Sequence, residues 1–326
     1  MTGVRIGMAL LVALAGGQSG GQVAAEVVAQ QDIADKYPQS ELYNKPVEVI
    51  PGVWSAIGAT APPSYENAGH NNNLSFIVTG DGVVVVNGGA SARLAQALHD
   101  EIRAVTDQPV KLVIDENGQG HAVLGNAYWR GQGVDVLGHV ETIEVVEQEG
   151  DFLLQAMRGY NKDRAEGTEI AVPNLSFEDR YDASMGGVEI EVLRLGPAHS
   201  PGDTQVWLPG MGMVIAGDIA FHERMPPIFG DTCTHCWIET FEGPFTALGA
   251  TWVIPGHGHP TNMAAVREGT VGYLSDLREK IGAHIEDGGD LAGAFYVDQT
   301  RWAGLDTFEE LATKNAGRVF EEMEWE

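Results

Sequence analysis

Cysteine is nearly missing from this chain: two residues in 326, Cys233 and Cys236, separated only by Thr234 and His235. That excludes a disulfide-dense scaffold and an all-cysteine zinc module. Positive charge is also scarce. Nineteen Lys and Arg stand against 46 Asp and Glu, a formal net charge of −27, which argues against nucleic acid or an anionic membrane surface as partner. Long apolar runs are few. Residues 6–15, behind Arg5, are too short to span a bilayer and lead into small residues, with Val23–Ala25 or Val27–Ala29 before a cleavage point. This reads as an export signal over 1–29, with an uncleaved anchor as the other reading. No later stretch is apolar enough to cross a membrane. The expectation is a periplasmic chain from residue 30, with no membrane span in the mature protein. In an oxidising compartment the lone Cys233/Cys236 pair is expected to form a local disulfide. A zinc knuckle would need two further ligands, and a thioredoxin-like site would open a helix after a strand.

What is present is an α/β pattern. Strands are expected at 47–57 (broken by a Pro51-Gly52 turn), 74–79, 83–86, 110–114, 134–137, 188–195, 204–208, 213–216 and 252–254. Helices are expected at 91–105, 122–130, 142–158 and 238–248, and from 263 onward with a break at Gly288-Gly289. Residues 159–180 are charged and poorly periodic and read as a mobile excursion. His70–Asn73 could line a cleft mouth but reads more simply as a solvated turn. Two sheet-forming halves without a long linker predict one domain over 30–326, a sandwich with helices on both outer faces.

The chemistry gathers at strand ends. The stretch from Val113 to Asn126 starts as a buried strand and breaks into a polar loop carrying Glu116, Asn117, Gln119 and His121. His199 follows the 188–195 strand, Asp218 follows Gly217, and His257 lies between Gly256 and Gly258. Glycine- and proline-bearing loops at the carboxyl ends of strands aim side chains into a shared cleft. Each residue alone has an ordinary explanation. Three imidazoles and a carboxylate in the same structural setting make a plausible site for zinc, with manganese or iron as further candidates.

With these pieces in order, Gly82–Gly89, Val113–Asn126, Ala198–Thr204, Gly217-Asp218 and Pro255–Gly258, the chain resembles the metallo-β-lactamase superfamily over about residues 47–260. The resemblance implies an αββα four-layer sandwich with a helical C-terminal extension, and His199, Asp218 and His257 as metal ligands. It also shows a departure. The family's H-x-H-x-D-H motif is replaced: Asn117 and Gln119 fall on its first two histidines, His121 on its aspartate and Ala122 on its last histidine. Asn87 stands where an aspartate is common. A two-metal centre is therefore not expected. One ion rebuilt on His121, Asp218 and His257 is, with His199 the least firmly placed ligand. The tail from Leu311 to Glu324 resembles a branch of exported members linked to quinoprotein relays and sulfur oxidation, the SoxH-like metallohydrolases. This implies action on cysteine adducts of the sulfur carrier SoxYZ.

One divalent ion lowers the pKa of bound water from about 16 to about 7. The expected reaction is hydrolysis, by metal-bound hydroxide, of a thioester-like or other sulfur-linked substrate. Glu116 would relay a proton, and Asn117 or Gln119 would orient substrate or stabilise an oxyanion. The competing expectation is a non-catalytic metal- or carrier-binding protein with an eroded site.

Overall fold

The computed structural model describes residues 41–326; the expected signal peptide lies outside them. A seven-stranded sheet runs in sequence order through β1 (Val47–Ile50), β2 (Val53–Ala56), β3 (Leu74–Val78), β4 (Val83–Val86), β5 (Val110–Ile114), β6 (Asp135–His139) and β7 (Leu175–Phe177). Its first four strands pair antiparallel and its last four parallel. The switch to parallel pairing is where crossover helices enter. These are α1 (Ala92–Val105), the short α2 (Gly120–Val123) and α3 (Asn126–Gly131), and α4 (Val140–Asn161). The second sheet has β8 (Arg180–Met185), β9 (Val188–Leu193), β10 (Gln205–Leu208), β11 (Met213–Phe221) and β12 (Trp252–His257) in the order β12-β11-β10-β9-β8. Helices α5 (Thr234–Thr240), α6 (Met263–Arg267), α7 (Tyr273–Glu286), α8 (Leu291–Ala294) and α9 (Phe308–Met323) accompany it.

The four layers follow from side-chain alternation along the strands. In β4, Val84 and Val86 face the second sheet, where they join Ile114, Val192, Val206 and Ile215. Val83 and Val85 face the other way, onto Leu94, Leu98 and Ile102 of α1 and Trp129 of α3. Val214, Ala216 and Val253 on the far side of the second sheet pack against Trp237, Tyr273, Leu277 and Val319 of the C-terminal helices. The result is the expected αββα sandwich with a helical extension. Among the described residues no helix is long and apolar enough to cross a membrane.

Three local expectations are corrected. Residues 159–180 are not a mobile excursion: a 3₁₀ turn at Lys162–Ala165 and strand β7 occupy them, and β8 begins at Arg180. Strand β11 does not stop at Ala216 but continues to Phe221, with its register against β12 shifting around Gly217. Helix α5 starts at Thr234 rather than Ile238, so the Cys233–Cys236 disulfide closes its first turn. The pair thus sits at a helix start, with Cys233 as the N-cap.

The C-terminal extension does more than cover a sheet. Asn315 of α9, 1 % exposed, accepts from the Ile228 N–H and donates to the Pro226 carbonyl and the Tyr273 hydroxyl. Glu322 accepts from the N–H and hydroxyl of Thr234 at the start of α5. Asp306 and Met225 exchange a backbone bond. The segment 224–234 is thereby held by groups more than eighty residues away. Replacing Asn315 with Ala strands a buried N–H and a carbonyl, so Asn315→Ala is expected to lower unfolding free energy by about 2–4 kcal/mol. Chemical denaturation of the purified variant measures it.

Candidate metal centre

Both sheets contribute to one cleft. The loop after β5 brings Glu116 to His121, the loop after β9 brings His199, β11 carries Asp218 and the end of β12 carries His257. Glycine makes the approach possible. A Cβ on Gly217, whose φ is +64°, would stand 1.9 Å from a carboxylate oxygen of Glu116, and one on Gly256 would stand 2.2 Å from Asp218 Oδ1. Side chains larger than hydrogen at either position would push these carboxylates out of place.

His121, Asp218 and His257 each place one ligand-type atom within 4.8 Å of the others. His257 Nε2 is 3.3 Å from Asp218 Oδ1, and His121 Nε2 is 3.5 Å from Asp218 Oδ2. The two imidazoles meet edge to face, 5.7 Å between centroids. His121 Nε2, Asp218 Oδ1 and His199 Nε2 are buried polar atoms with no hydrogen-bond partner. Orphaned buried groups of this kind are rare and costly, on the order of 1–3 kcal/mol each. The carbonyl of Asn71 sits against His257 Nδ1. The Arg224 guanidinium meets the same nitrogen, while Nε2 lies against Asp218 Oδ1; with the ring proton on Nδ1, Nε2 would offer its lone pair to a cation held beside the carboxylate. The donor set, two imidazoles and a carboxylate, fits one borderline divalent ion with room for further ligands.

The charge states follow from the crowding of these groups around Asp218, and an ion would take the place of the proton that Asp218 and Glu116 favour on His121. Burial pushes the Asp218 carboxyl upward, but His257 and His121 outweigh it and hold it below the usual carboxylate range. Burial opposes protonation of His121, and Asp218 and Glu116 together overcome it and raise its pKa. Burial is the main cause that brings His257 down to about 4, with Arg224 adding to it. Burial likewise brings His199 to about 4.

The other expected site residues fall into distinct places. His199 is beside the triad, its Nδ1 3.6 Å from Asp218 Oδ2 and 3.1 Å from Gln119 Nε2. Phe221, Phe229 and Trp237 surround its ring. Glu116 lies behind His121, 3.3 Å from Nε2, and accepts from Asn87 Nδ2 at 2.9 Å. Burial first and the Asp218 charge second raise its pKa. Asn117 is fully buried; its amide nitrogen reaches Asp218 and Asp203, and its oxygen accepts from the Gln119 N–H. The amide thus fixes Asp218 and does not face the cleft. Gln119 does, as do His121, His199 and His257, at the floor of a cavity of about 670 Å³.

Two further contributors complete the site: Asn71 lines the cavity, as the cleft-mouth alternative for His70–Asn73 has it, and Arg224 escaped the sequence reading. His70–Asn73 is no solvated turn: all four are buried. Asn73 donates to the carbonyls of Pro255 and Gly258, at 2.8 and 2.7 Å, and so clamps the loop that carries His257. The only sequence sign was four polar residues running into an apolar strand. Arg224 lines the cavity at 7 % exposure, its Nη1 2.7 Å from His257 Nδ1 and its Nε without a partner. Burial lowers its pKa to about 10, which leaves it cationic at neutral pH.

Known proteins sort with this geometry. A family model described as the metallo-beta-lactamase superfamily matches residues 123–274. The match begins just past the altered motif. The type 2 metallo-beta-lactamase of Bacteroides fragilis is 23% identical over 193 residues, 56% of this chain and 70% of that protein. Among solved structures, a metallo-beta-lactamase from Pontibacter korlensis superposes with a TM-score of 0.59 at 17% identity, covering 71% of this chain and 98% of its own. A stereoselective inverting sec-alkylsulfatase from Pseudomonas superposes with a TM-score of 0.65 at 16% identity, covering 92% of this chain and 54% of its own. The fold is that of a metallo-beta-lactamase, and the family model and the relative together support the metallo-beta-lactamase superfamily for this chain.

Two measurements check the site. Elemental analysis of protein purified without chelator is expected to find one divalent ion per chain. His121→Ala and His257→Ala should each lose about 100-fold or more in metal affinity, and Asn117→Ala about 10- to 100-fold. The second concerns Asp115, beside the site, whose pKa burial raises from 3.8 to about 8. The folded state keeps this proton while the unfolded chain releases it, so the parent loses stability as pH rises between those values. The thermal midpoint of Asp115→Asn should therefore gain on the parent from pH 4 to pH 8 and level off above; a constant offset would exclude that proton.

Proposed function

We propose that this chain is an exported hydrolase that uses one divalent metal ion, zinc first, held by His121, Asp218 and His257, with His199 as an adjoining ligand. The bond broken is thioester-like or another sulfur linkage, and cysteine adducts of the sulfur carrier SoxYZ are the physiological candidate. One observation carries the hydrolase reading: three ligand-type groups from far-apart segments converge, two of them with orphaned atoms, at the floor of a cavity open to substrate. The resemblance of the tail to SoxH-like proteins supports the sulfur chemistry, and the apolar stretch at 6–15 supports export.

When bound, the ion supplies Lewis acidity toward a carbonyl or sulfonyl oxygen and acidifies water. The rest falls to the chain. Asp218 holds a fixed negative charge between the two imidazoles, kept in place by Asn117. The Asn71 carbonyl and the Arg224 guanidinium hold the His257 ring in place through Nδ1. Gln119, on the cavity floor, presents an amide to substrate. Glu116 touches His121 Nε2, the atom an ion would take, rather than the cavity, so with the ion bound it would position that ring and not relay protons through it. Arg224 places positive charge beside the reacting group, where negative charge develops as water adds and the carbon–sulfur bond breaks to release a thiol.

The altered first motif favours a second reading, a metal- or carrier-binding protein without turnover, because Asn117 and Ala122 stand where the family has histidines. The likeness to an alkylsulfatase over 92% of the chain adds sulfate esters to the substrates worth testing. Metal-loaded protein is expected to hydrolyse thioesters, and His257→Ala or metal-free protein to fall by about 10²-fold or more. Tight metal binding with no turnover across thioester, sulfate-ester, ester and lactam panels, including SoxYZ adducts, would establish the binding module instead.

A further inference from the structure

The walls of the cavity differ from its floor. Phe152, Leu153 and Tyr160 of α4 form one side, Phe229 and Leu311 of α9 the other, and Pro62 the rim. Phe152 is 71 % exposed and Phe229 43 % exposed, two of the six large apolar residues that reach solvent among the described residues. Phe152 follows Glu149 and Asp151 on an otherwise acidic surface of α4, so its exposure is not part of a general apolar patch. Neither phenylalanine belongs to a buried core cluster of the described residues; Phe229 packs one face on His199, and both line the cavity. At about 670 Å³ the space falls within the range, roughly 300–1,000 Å³, that encloses a small organic molecule.

We propose that the substrate carries a bulky apolar group, a medium-length acyl or alkyl chain or an aromatic one, seated between α4 and α9 while its reacting end meets the histidine floor. This rests on the hydrolase reading only for what happens at the floor. A carrier adduct bearing only a small polar group would leave these walls unused, so the inference favours a small apolar thioester or sulfur ester over such an adduct. The walls also explain the C-terminal extension: without Leu311, and without Asn315 holding the 226–228 backbone, one side of the chamber and the position of Phe229 would be lost.

Burial of each methylene strengthens binding by up to about fourfold. Calorimetric titration of the metal-loaded protein with linear carboxylates from C2 to C10 tests this without turnover. Every member has the same head, so the slope of log Kd against length reports the walls alone. The expected slope is twofold or more per methylene until the chamber fills. Phe152→Ser and Leu311→Ser, both changes at residues that face the cavity, should each flatten that slope to half or less. An affinity independent of length, or a slope that neither substitution changes, would overturn the inference. Failure of the hydrolase reading shows differently: the slope persists while no thioester is cleaved. Conversely, thioesters cleaved at a rate independent of acyl length would retain the hydrolase and sink the apolar pocket.

Discussion

A carboxylate kept ionised away from water is the constraint on which the rest of this molecule depends. Asp218 is 1 % exposed, and burying its charge without compensation is prohibitive. Compensation arrives from three directions: His257 from β12, His121 from the loop after β5, and the Asn117 amide. None of these is near Asp218 in sequence except through the pairing of β11 with β12. The two sheets must therefore close on one another in a single register before the carboxylate is satisfied. Gly217 and Gly256 have no side chain for the same reason, since anything larger would occupy the space the carboxylates need.

The residues that the resemblance sets on the family's first motif belong to this same balance. An amide at 117 donates to Asp218 where a histidine would bring another ligand, and an imidazole at 121 supplies what a carboxylate would otherwise. Asn87 follows suit. Its side chain donates to Glu116 and accepts from the Glu116 N–H. An aspartate there would set two negative charges face to face.

Much of this was legible in the sequence, for identifiable reasons. Histidines after apolar runs, flanked by glycine and proline, announce strand ends, and the reading that draws His121, Asp218 and His257 together agrees with their clustering, although Asp218 lies within β11 and not in a loop after it. The sandwich was legible because β3, β4, β5, β10 and β12 are apolar on both faces, as strands covered by helices must be. What stayed hidden lacks a local pattern. Strand β8 alternates exposed and half-buried positions, RYDASM, so its edge reads as irregular polar chain. The side chains of Asn73 and Asn315 act on backbone groups up to 185 residues away, and nothing in a neutral amide tells where it will reach. Arg224 was overlooked because one basic residue in an acidic chain has no periodicity to betray it.

The extension that begins after β12 changes how this architecture can diversify. The clustered imidazoles and carboxylate all lie on or between the two sheets, whereas one flank of the chamber comes from helix α9. The chamber and the cluster at its floor are thus written largely on separate stretches of polypeptide. Drift at chamber-facing positions of the closing helix such as Leu311 can reshape the chamber, whereas Asn315 on the same helix ties it to the 226–228 backbone next to Arg224.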